Sequence, residues 1–414
     1  MINRAQPATD VTEPPIWVVS ELYTREKTET FVTGIAEGLA ARHEVRVLCS
    51  QPTSTKRDLL PWRALHAGLT VYPCWSTRFS KDRLALRFVN VVTLSGSMFL
   101  IAAFRFRKAD RVIVVNSPPT LPFFIALACW LRGARLIVLV HDVYPDMLAA
   151  LGMVSRGSLV WRVLERMSRT LYSSAERVVV LGRDMRVLVS RWVQAAAEKV
   201  VIIPNWAETD TVRAVAVSQS ALRRKLQLED RFVVQFMGNM GRFHGVETVV
   251  AASELPALSP RVHFLFIGSG ARGPWLQQVA STRPNITVLP PCSDADLPDA
   301  LAAGDVAVIP FRSGMLGISV PSRMYNVLAA GRPIIAVADA RSELAQVVHE
   351  EEVGWVVPPD DPGQLADAIR DAMAQPSLLL EMGRRARACA ELHYSRAAVI
   401  AQYETLMKAE FAQA

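Results

Sequence analysis

The run Ser319-Val-Pro-Ser-Arg-Met-Tyr-Asn-Val-Leu-Ala-Ala-Gly-Arg-Pro333 has the residue types of a helix whose open N-terminus faces an anion. Ser319 or Ser322 serves as N-cap, Pro321 lies near the first turn, and Gly331 ends the helix. Unpaired N–H groups in a first helical turn point at a ligand, and the helix dipole favours negative charge there; Arg323 adds a fixed cation. The chemistry is phosphate binding. The helix follows Asp305-Val-Ala-Val-Ile-Pro310, which reads as a buried strand, through the polar loop Phe311 to Gly317, and Ile334 to Ala338 reads as the next strand. That order is a crossover, which sets the helix N-terminus beside the carboxyl ends of the strands.

A second turn has the same character. In Phe236-Met-Gly-Asn-Met-Gly-Arg-Phe-His-Gly245, Gly238, Gly241 and Gly245 allow a tight turn and close approach of backbone to ligand. Asn239, Arg242 and His244 bring hydrogen bonds or charge, and a helix begins near Val246 with Glu247 in its first turn. No Gly-Lys-Ser/Thr closes this loop and the spacing of the dinucleotide fingerprint is missing, so neither of those motifs explains it. Elsewhere, Val138-Leu-Val-His-Asp-Val-Tyr-Pro145 sets His141 and Asp142 at the end of a buried strand, where a ligand-facing polar group belongs. Glu21 follows the first strand. Glu343 either opens its helix behind a Ser342 cap or contacts a ligand.

The elements that position these residues alternate. Strand patterns fall at Ile16 to Ser20, Glu44 to Cys49, Leu69 to Tyr72, Arg111 to Val115, Leu136 to Val140, Arg177 to Leu181 and Val200 to Ile203. Helix-length segments such as Thr28 to Arg42 and Leu159 to Ser173 separate them. Pro204-Asn-Trp-Ala-Glu208 breaks the series. It restarts with Phe232 to Met237, Val262 to Ile267, Ile286 to Leu289, Val306 to Ile309, Ile334 to Val337 and Gly354 to Val357. Strands spaced by helices imply parallel sheets covered on both faces. The expected fold class is α/β, with two doubly wound, Rossmann-like domains facing across a cleft: residues 14–203, residues 204–385, and a helical end, 386–414, packing back across the junction. Both phosphate-suited turns lie in the second domain, so that domain is expected to hold a nucleotide and the first an acceptor.

With 414 residues and 51% hydrophobic content, the chain exceeds what one core holds, which agrees with two domains. A net charge of +7 suits nucleic acid, anionic lipid or a phosphorylated substrate. No basic block with interleaved aromatics and no zinc-finger spacing occurs, so a nucleic-acid partner is not expected. Five scattered cysteines without a CxxC pair fit a reducing cytosol, and Met1 to Pro15 lacks the apolar stretch of a signal peptide. The apolar run Phe88 to Phe104 is interrupted by Asn90, Ser95, Gly96 and Ser97 and falls short of the about 20 residues of a span. Its flanks carry Arg83, Arg87, Arg105, Arg107 and Lys108, which suits a helix lying against an anionic membrane surface, or one packed on its own sheet. The apolar segment Leu121 to Leu131, with Phe123, Phe124 and Trp130, extends that face.

Taken in order, these motifs resemble the retaining glycosyltransferases of the two-domain GT-B fold, family 4. The resemblance covers nearly the whole chain: Val18-Val-Ser20 and Phe31 to Leu48 at the start, then Leu222-Arg-Arg-Lys-Leu, Gly238 to Thr248, Phe266-Ile-Gly-Ser-Gly270 and Ala329-Ala-Gly-Arg-Pro333. Pro204-Asn-Trp-Ala-Glu208, His141-Asp-Val-Tyr-Pro-Asp146 and Pro321 to Leu328 are similar to the branch building bacterial exopolysaccharide and O-antigen, including colanic-acid fucosyltransferases and N-acetylfucosamine transferases. Members of the family carry two glutamates entering the Ala-x-Gly-x-Pro turn; here Ile318 and Asn326 stand there. The amide of Asn326 can still bond ribose hydroxyls, whereas Ile318 cannot replace a carboxylate, so sugar contacts fall to the amides of Gly317 to Ser319 or to Ser319 itself. The phosphate-binding Arg and Lys of the family fall on Asn239 and His244, leaving Arg242 as the nearest compensating cation.

The resemblance implies transfer of a sugar from a nucleoside-diphosphate-sugar to a lipid-linked saccharide at the cytoplasmic face of the membrane, with the anomeric configuration retained. His141 then resembles the active-site histidine, Arg242 and Arg323 stabilise the leaving diphosphate, and Gly238, Asn239, Gly241, His244, Gly317, Ser319, Ser322, Asn326 and Glu343 bind the donor. Asp142 and Glu21 serve the acceptor. The leaving phosphate itself takes the acceptor proton. The resemblance implies that no metal or other cofactor is needed. Two alternatives stay open: a nucleotide-sugar epimerase or hydrolase of the same fold, and a non-catalytic scaffold, the latter suggested by loss of both glutamates.

Overall fold

The computed structural model describes residues 14–21, 23, 30–51, 69–79 and 84–408. Its strands are β1 (Ile16–Val19), β2 (Val45–Ser50), β3 (Leu69–Cys74), β4 (Arg111–Val115), β5 (Arg135–Val140), β6 (Arg177–Val180) and β7 (Val200–Ile202), followed by β8 (Phe232–Asn239), β9 (Val262–Ser269), β10 (Ile286–Leu289), β11 (Val306–Pro310), β12 (Ile334–Val337) and β13 (Gly354–Val357). Every strand expected from the alternation is present. The order is β3-β2-β1-β4-β5-β6-β7 in one sheet and β10-β9-β8-β11-β12-β13 in the other. In each the order reverses beside the first strand: β1 pairs in parallel with β2 and β4, and β8 with β9 and β11. These are two doubly wound parallel α/β sheets.

Contacts divide the chain into two compact units, one of Met1–Val140, Thr170–Val179 and Tyr403–Ala414, the other of His141–Arg169 and Val180–Gln402. His141 and Asp142 therefore belong to the second unit. In the first, all four residues of β1 are buried, and the indole Nε1 of Trp17 donates to Asp110 Oδ2 at 2.9 Å, so the one polar atom that β1 brings to this core is satisfied. In the second, alternation along β8 and β9 sends Val234, Phe236, Phe264 and Phe266 into one core cluster and Val233, Leu265 and Ile267 into another on the opposite face.

The apolar segment near residue 90 forms a helix, Leu84–Arg105, longer than the run expected from sequence. Its interrupting polar groups are absorbed locally: Asn90 Oδ1 accepts from the Thr77 hydroxyl and the Phe79 N–H, and Ser95 Oγ donates to the Val91 carbonyl. By length and composition alone, Phe88–Arg105 could cross a membrane, with 22% of it buried inside the protein. Leu94, Met98 and Ala102 pack inward, at helical spacing, and Phe99 meets Phe124 of the Leu121–Arg132 helix at 6.3 Å. Phe88, Leu100 and Phe104 stay exposed, as does Trp130. Arg83 and the Arg87 side chain lie outside the described residues. So does most of the Met1 to Pro15 segment.

Candidate functional site

The strand order of the second sheet reverses between β8 and β11, and the two turns singled out in the sequence leave from those strands. Open α/β sheets bind ligands outside the carboxyl ends of their strands at such a switch point. Gly238, with φ of 134°, lets the backbone pass under Arg323: a Cβ there would stand 3.5 Å from the guanidinium carbon. Arg323 is the first residue of the helix Arg323–Ala329; Ser322 precedes it without a side-chain cap. The helix starts later than an N-cap at Ser319 would give.

Arg323 spans from one turn to the other. Its Nη2 donates to the Asn239 carbonyl at 3.3 Å, and its Cζ lies 4.5 Å from the Phe236 ring centroid. Nη1 is buried and finds no hydrogen-bond partner among the described residues. Burial lowers the pKa of Arg323 to about 10, which leaves it charged at neutral pH. A buried guanidinium N–H without a partner costs about 1–3 kcal/mol, and an anionic oxygen would satisfy it.

Arg242, the cation expected from its place in the turn, is exposed to solvent. It stands in the glycine-rich loop, whereas Arg323 is held from below by the Phe236 ring. Of the hydrogen bonds or charge expected of His244, the structure gives it hydrogen bonds within the turn. Its Nδ1 accepts the Gly241 N–H at 3.1 Å and the ring hydrogen-bonds to the Asn239 backbone, with Phe243 packed 4.3 Å away. Burial, helped by the charge of Arg323, lowers its pKa to about 3. His244 is a neutral strut within the turn.

The resemblance gives sugar contacts to the Gly317 to Ser319 amides or to Ser319 itself, and the structure occupies two of those amides internally. Asp184 Oδ2 accepts the Gly317 N–H at 2.9 Å, and the Met315 carbonyl accepts that of Ile318 at 3.1 Å. Ser319 pairs with Asp142 through an antiparallel bridge, its side chain hydrogen-bonds to the Asp142 carboxylate, and Val143 N–H donates to the Ile318 carbonyl at 2.9 Å. Ile318 packs into an apolar cluster with Met147, Phe311 and Met315. A carboxylate would be desolvated there.

Asn326 accepts the Glu208 N–H on its amide oxygen at 3.2 Å, which leaves the NH2 group and one lone pair for other partners. Glu343 is engaged as well: Ser342 caps the helix by accepting the Ala345 N–H, while Glu343 Oε2 accepts the Arg183 backbone N–H at 2.7 Å and its Nε at 2.9 Å. Burial lowers the pKa of His141 to about 4, so the imidazole is neutral at pH 7. Burial raises that of Asp142, opposed by the Ser319 hydrogen bond. Glu21 belongs to the first unit, where its carbonyl accepts the Ser50 N–H. Among the described residues, no group of three or more His, Cys, Asp or Glu is placed to hold a metal ion.

Sequence reasoning missed Arg183 and Asp184. The signal was present in Gly182-Arg-Asp184, a polar step directly after the buried strand β6. Gly182 is needed there because a Cβ would come within 2.7 Å of Glu343 Cβ.

Two doubly wound parallel sheets, with convergent turns at the switch point of the second, define the GT-B class of transferase. Residues 28–206 match the Glycosyl transferase 4-like domain and residues 231–375 the Glycosyl transferases group 1 domain. The chain is 32% identical over 296 residues to WbjE of Pseudomonas aeruginosa, named as a glycosyltransferase, covering 70% of this chain and 73% of that one. It is 28% identical over 363 residues to WcaI of Escherichia coli (strain K12), named as a colanic acid biosynthesis glycosyl transferase, covering 83% and 87%. The chain belongs to this glycosyltransferase family. Among solved structures, sucrose-phosphate synthase from Thermosynechococcus elongatus is similar with a TM-score of 0.74 at 18% identity, over 95% of this chain and 98% of that one. HepE of Anabaena in complex with UDP-glucose has a TM-score of 0.71 at 15% identity, over 95% and 100%. These likenesses concern the fold.

Proposed function

We propose that this glycosyltransferase moves a sugar from a nucleoside-diphosphate-sugar to a lipid-linked oligosaccharide during assembly of a bacterial surface polysaccharide, retaining the anomeric configuration. The observation that carries the donor assignment is Arg323 at the β8/β11 switch point, with a buried Nη1 that has no partner among the described residues. Breaking the bond from the anomeric carbon to a diphosphate builds negative charge on the leaving phosphate. A guanidinium fixed beside Gly238 stabilises that charge without reorganising. Neutral His141 and the Asp142–Ser319 pair then face the transferred sugar and the acceptor hydroxyl, and the departing phosphate takes the acceptor proton. Arg242 serves as an outer contact of the phosphates. The name of WcaI, a colanic acid biosynthesis glycosyl transferase, supports the polysaccharide setting.

The lipid-linked acceptor places the protein at the inner face of the cell membrane. Exposed Phe88, Leu100, Phe104 and Trp130, together with exposed Arg105, Arg107 and Lys108, support that contact. The test has two parts. Calorimetry with UDP and with GDP should show binding to one of them that Arg323→Ala abolishes; binding of neither would end the donor assignment. Screening sugar nucleotides against a lipid-linked acceptor mixture, with NMR of the product, should give the configuration of the donor, and an inverted anomer would overturn retention.

A further inference from the structure

The helix Leu159–Ser174 has three faces where an ordinary surface helix has two. Trp161, Ser168, Leu171 and Tyr172 are buried. Leu159, Val160, Val163 and Met167 form one exposed stripe at positions i, i+1, i+4 and i+8, with exposures of 78%, 57%, 50% and 42%. Arg162, Arg166 and Arg169, at i, i+4 and i+7, run along the flank of that stripe and are exposed. The single acid of the helix, Glu165, is paired with Arg169 at 3.0 Å. The rotation of the helix is pinned from its start: Arg156 reaches Asp146 at 3.3 Å and stacks over buried Trp161, 5.8 Å from the ring centroid, so the apolar stripe cannot turn inward.

We infer that this stripe is a second membrane-contact surface, lying in the plane of the interface with its side chains among acyl chains and its arginines on anionic headgroups. Four large apolar side chains left in water beside a row of arginines match a surface that is apolar below and negative above. The inference takes its partner from the membrane reading given above, but stands on a different helix and different residues.

Vesicle flotation of the full chain tests it, with phosphatidylglycerol–phosphatidylcholine mixtures and with phosphatidylcholine alone. Each arginine near an anionic surface contributes roughly fivefold to partitioning, so Arg162→Gln/Arg166→Gln/Arg169→Gln should lower binding to the anionic vesicles about 100-fold. Leu159→Ser/Val163→Ser should lower it on the order of 100-fold. Unchanged thermal melting would show both variants folded. If the wild type floats and both variants float equally well, while Phe104→Ser/Trp130→Ser does not, this surface is refuted and the membrane reading stands. If the wild type floats on neither vesicle, both fail together. If light scattering shows a wild-type dimer that Leu159→Ser/Val163→Ser converts to monomer, the stripe joins two copies of the chain and the inference is overturned.

Discussion

Asp184 Oδ2 accepts the Gly317 N–H at 2.9 Å across a sequence separation of 133 residues, while its other oxygen accepts the N–H of Met185. One buried carboxylate thus fixes the turn that leads into Ser319. Asp184→Ala strands the Gly317 N–H in a buried place, at a cost of about 1–3 kcal/mol. Thermal and urea melts should register that loss, and the KM for donor or acceptor should rise, because the turn also orders the Asp142–Ser319 bridge.

Replacing the glycine itself should be worse. Gly317 has φ of 73°, and a Cβ would lie 2.8 Å from the Asp184 carbonyl oxygen. Gly317→Ala combines backbone strain of about 1–2 kcal/mol with that clash, so its destabilisation should exceed that of Asp184→Ala in the same melts.

The two arginines at the donor turn should separate cleanly. Arg323→Ala removes a fixed donor from the leaving phosphate and should lower the transfer rate about 10²- to 10³-fold. Arg242→Ala alters an exposed loop residue and should stay within roughly twofold. Initial rates at a fixed donor concentration measure both; equal losses would show that Arg242 holds the leaving phosphate as firmly as Arg323 does, and is no outer contact.

Acid should destabilise the protein through its buried histidines. The folded pKa of His244 is about 3 against an ordinary value of 6.5, so the unfolded chain takes up a proton that the folded chain refuses. The stability is fully present above pH 6.5 and is lost as pH falls toward 3, at up to about 1.4 kcal/mol per pH unit. His141 and His263, both lowered to about 4, act with the same sign. Asp142 and Asp184, raised by burial, act with the opposite sign. The His244 contribution is therefore read as the difference in denaturant-derived stability between wild type and His244→Asn, which should narrow as pH falls.

The strands were legible because their signal is local. Runs such as Val306 to Ile309 and Ile334 to Val337 bury both faces, and helix-length segments with glycine or proline at their ends separate them. The two turns were legible for the same reason, being set by Gly238, Gly245 and Gly317 in their own stretches of chain. Arg183 and Asp184 were not, although Gly182-Arg-Asp184 is a polar step after β6, because their partners Glu343 and Gly317 are reached only by folding. The exposed stripe on Leu159–Ser174 escaped notice too, because apolar periodicity does not distinguish the buried face from a second one left in water.

The sequence by itself determined two parallel α/β sheets and a pair of glycine-bearing turns at strand ends. It did so because hydrophobic period and glycine conformation depend on residues a few positions apart. Only the tertiary structure decided which groups remain available for chemistry. It put Arg323 beside Gly238, turned Arg242 out to solvent, neutralised His244 and spent the Gly317 amide on Asp184. The physical reason is that burial and the occupancy of each donor depend on which distant segments pack together, and that is fixed by the whole fold.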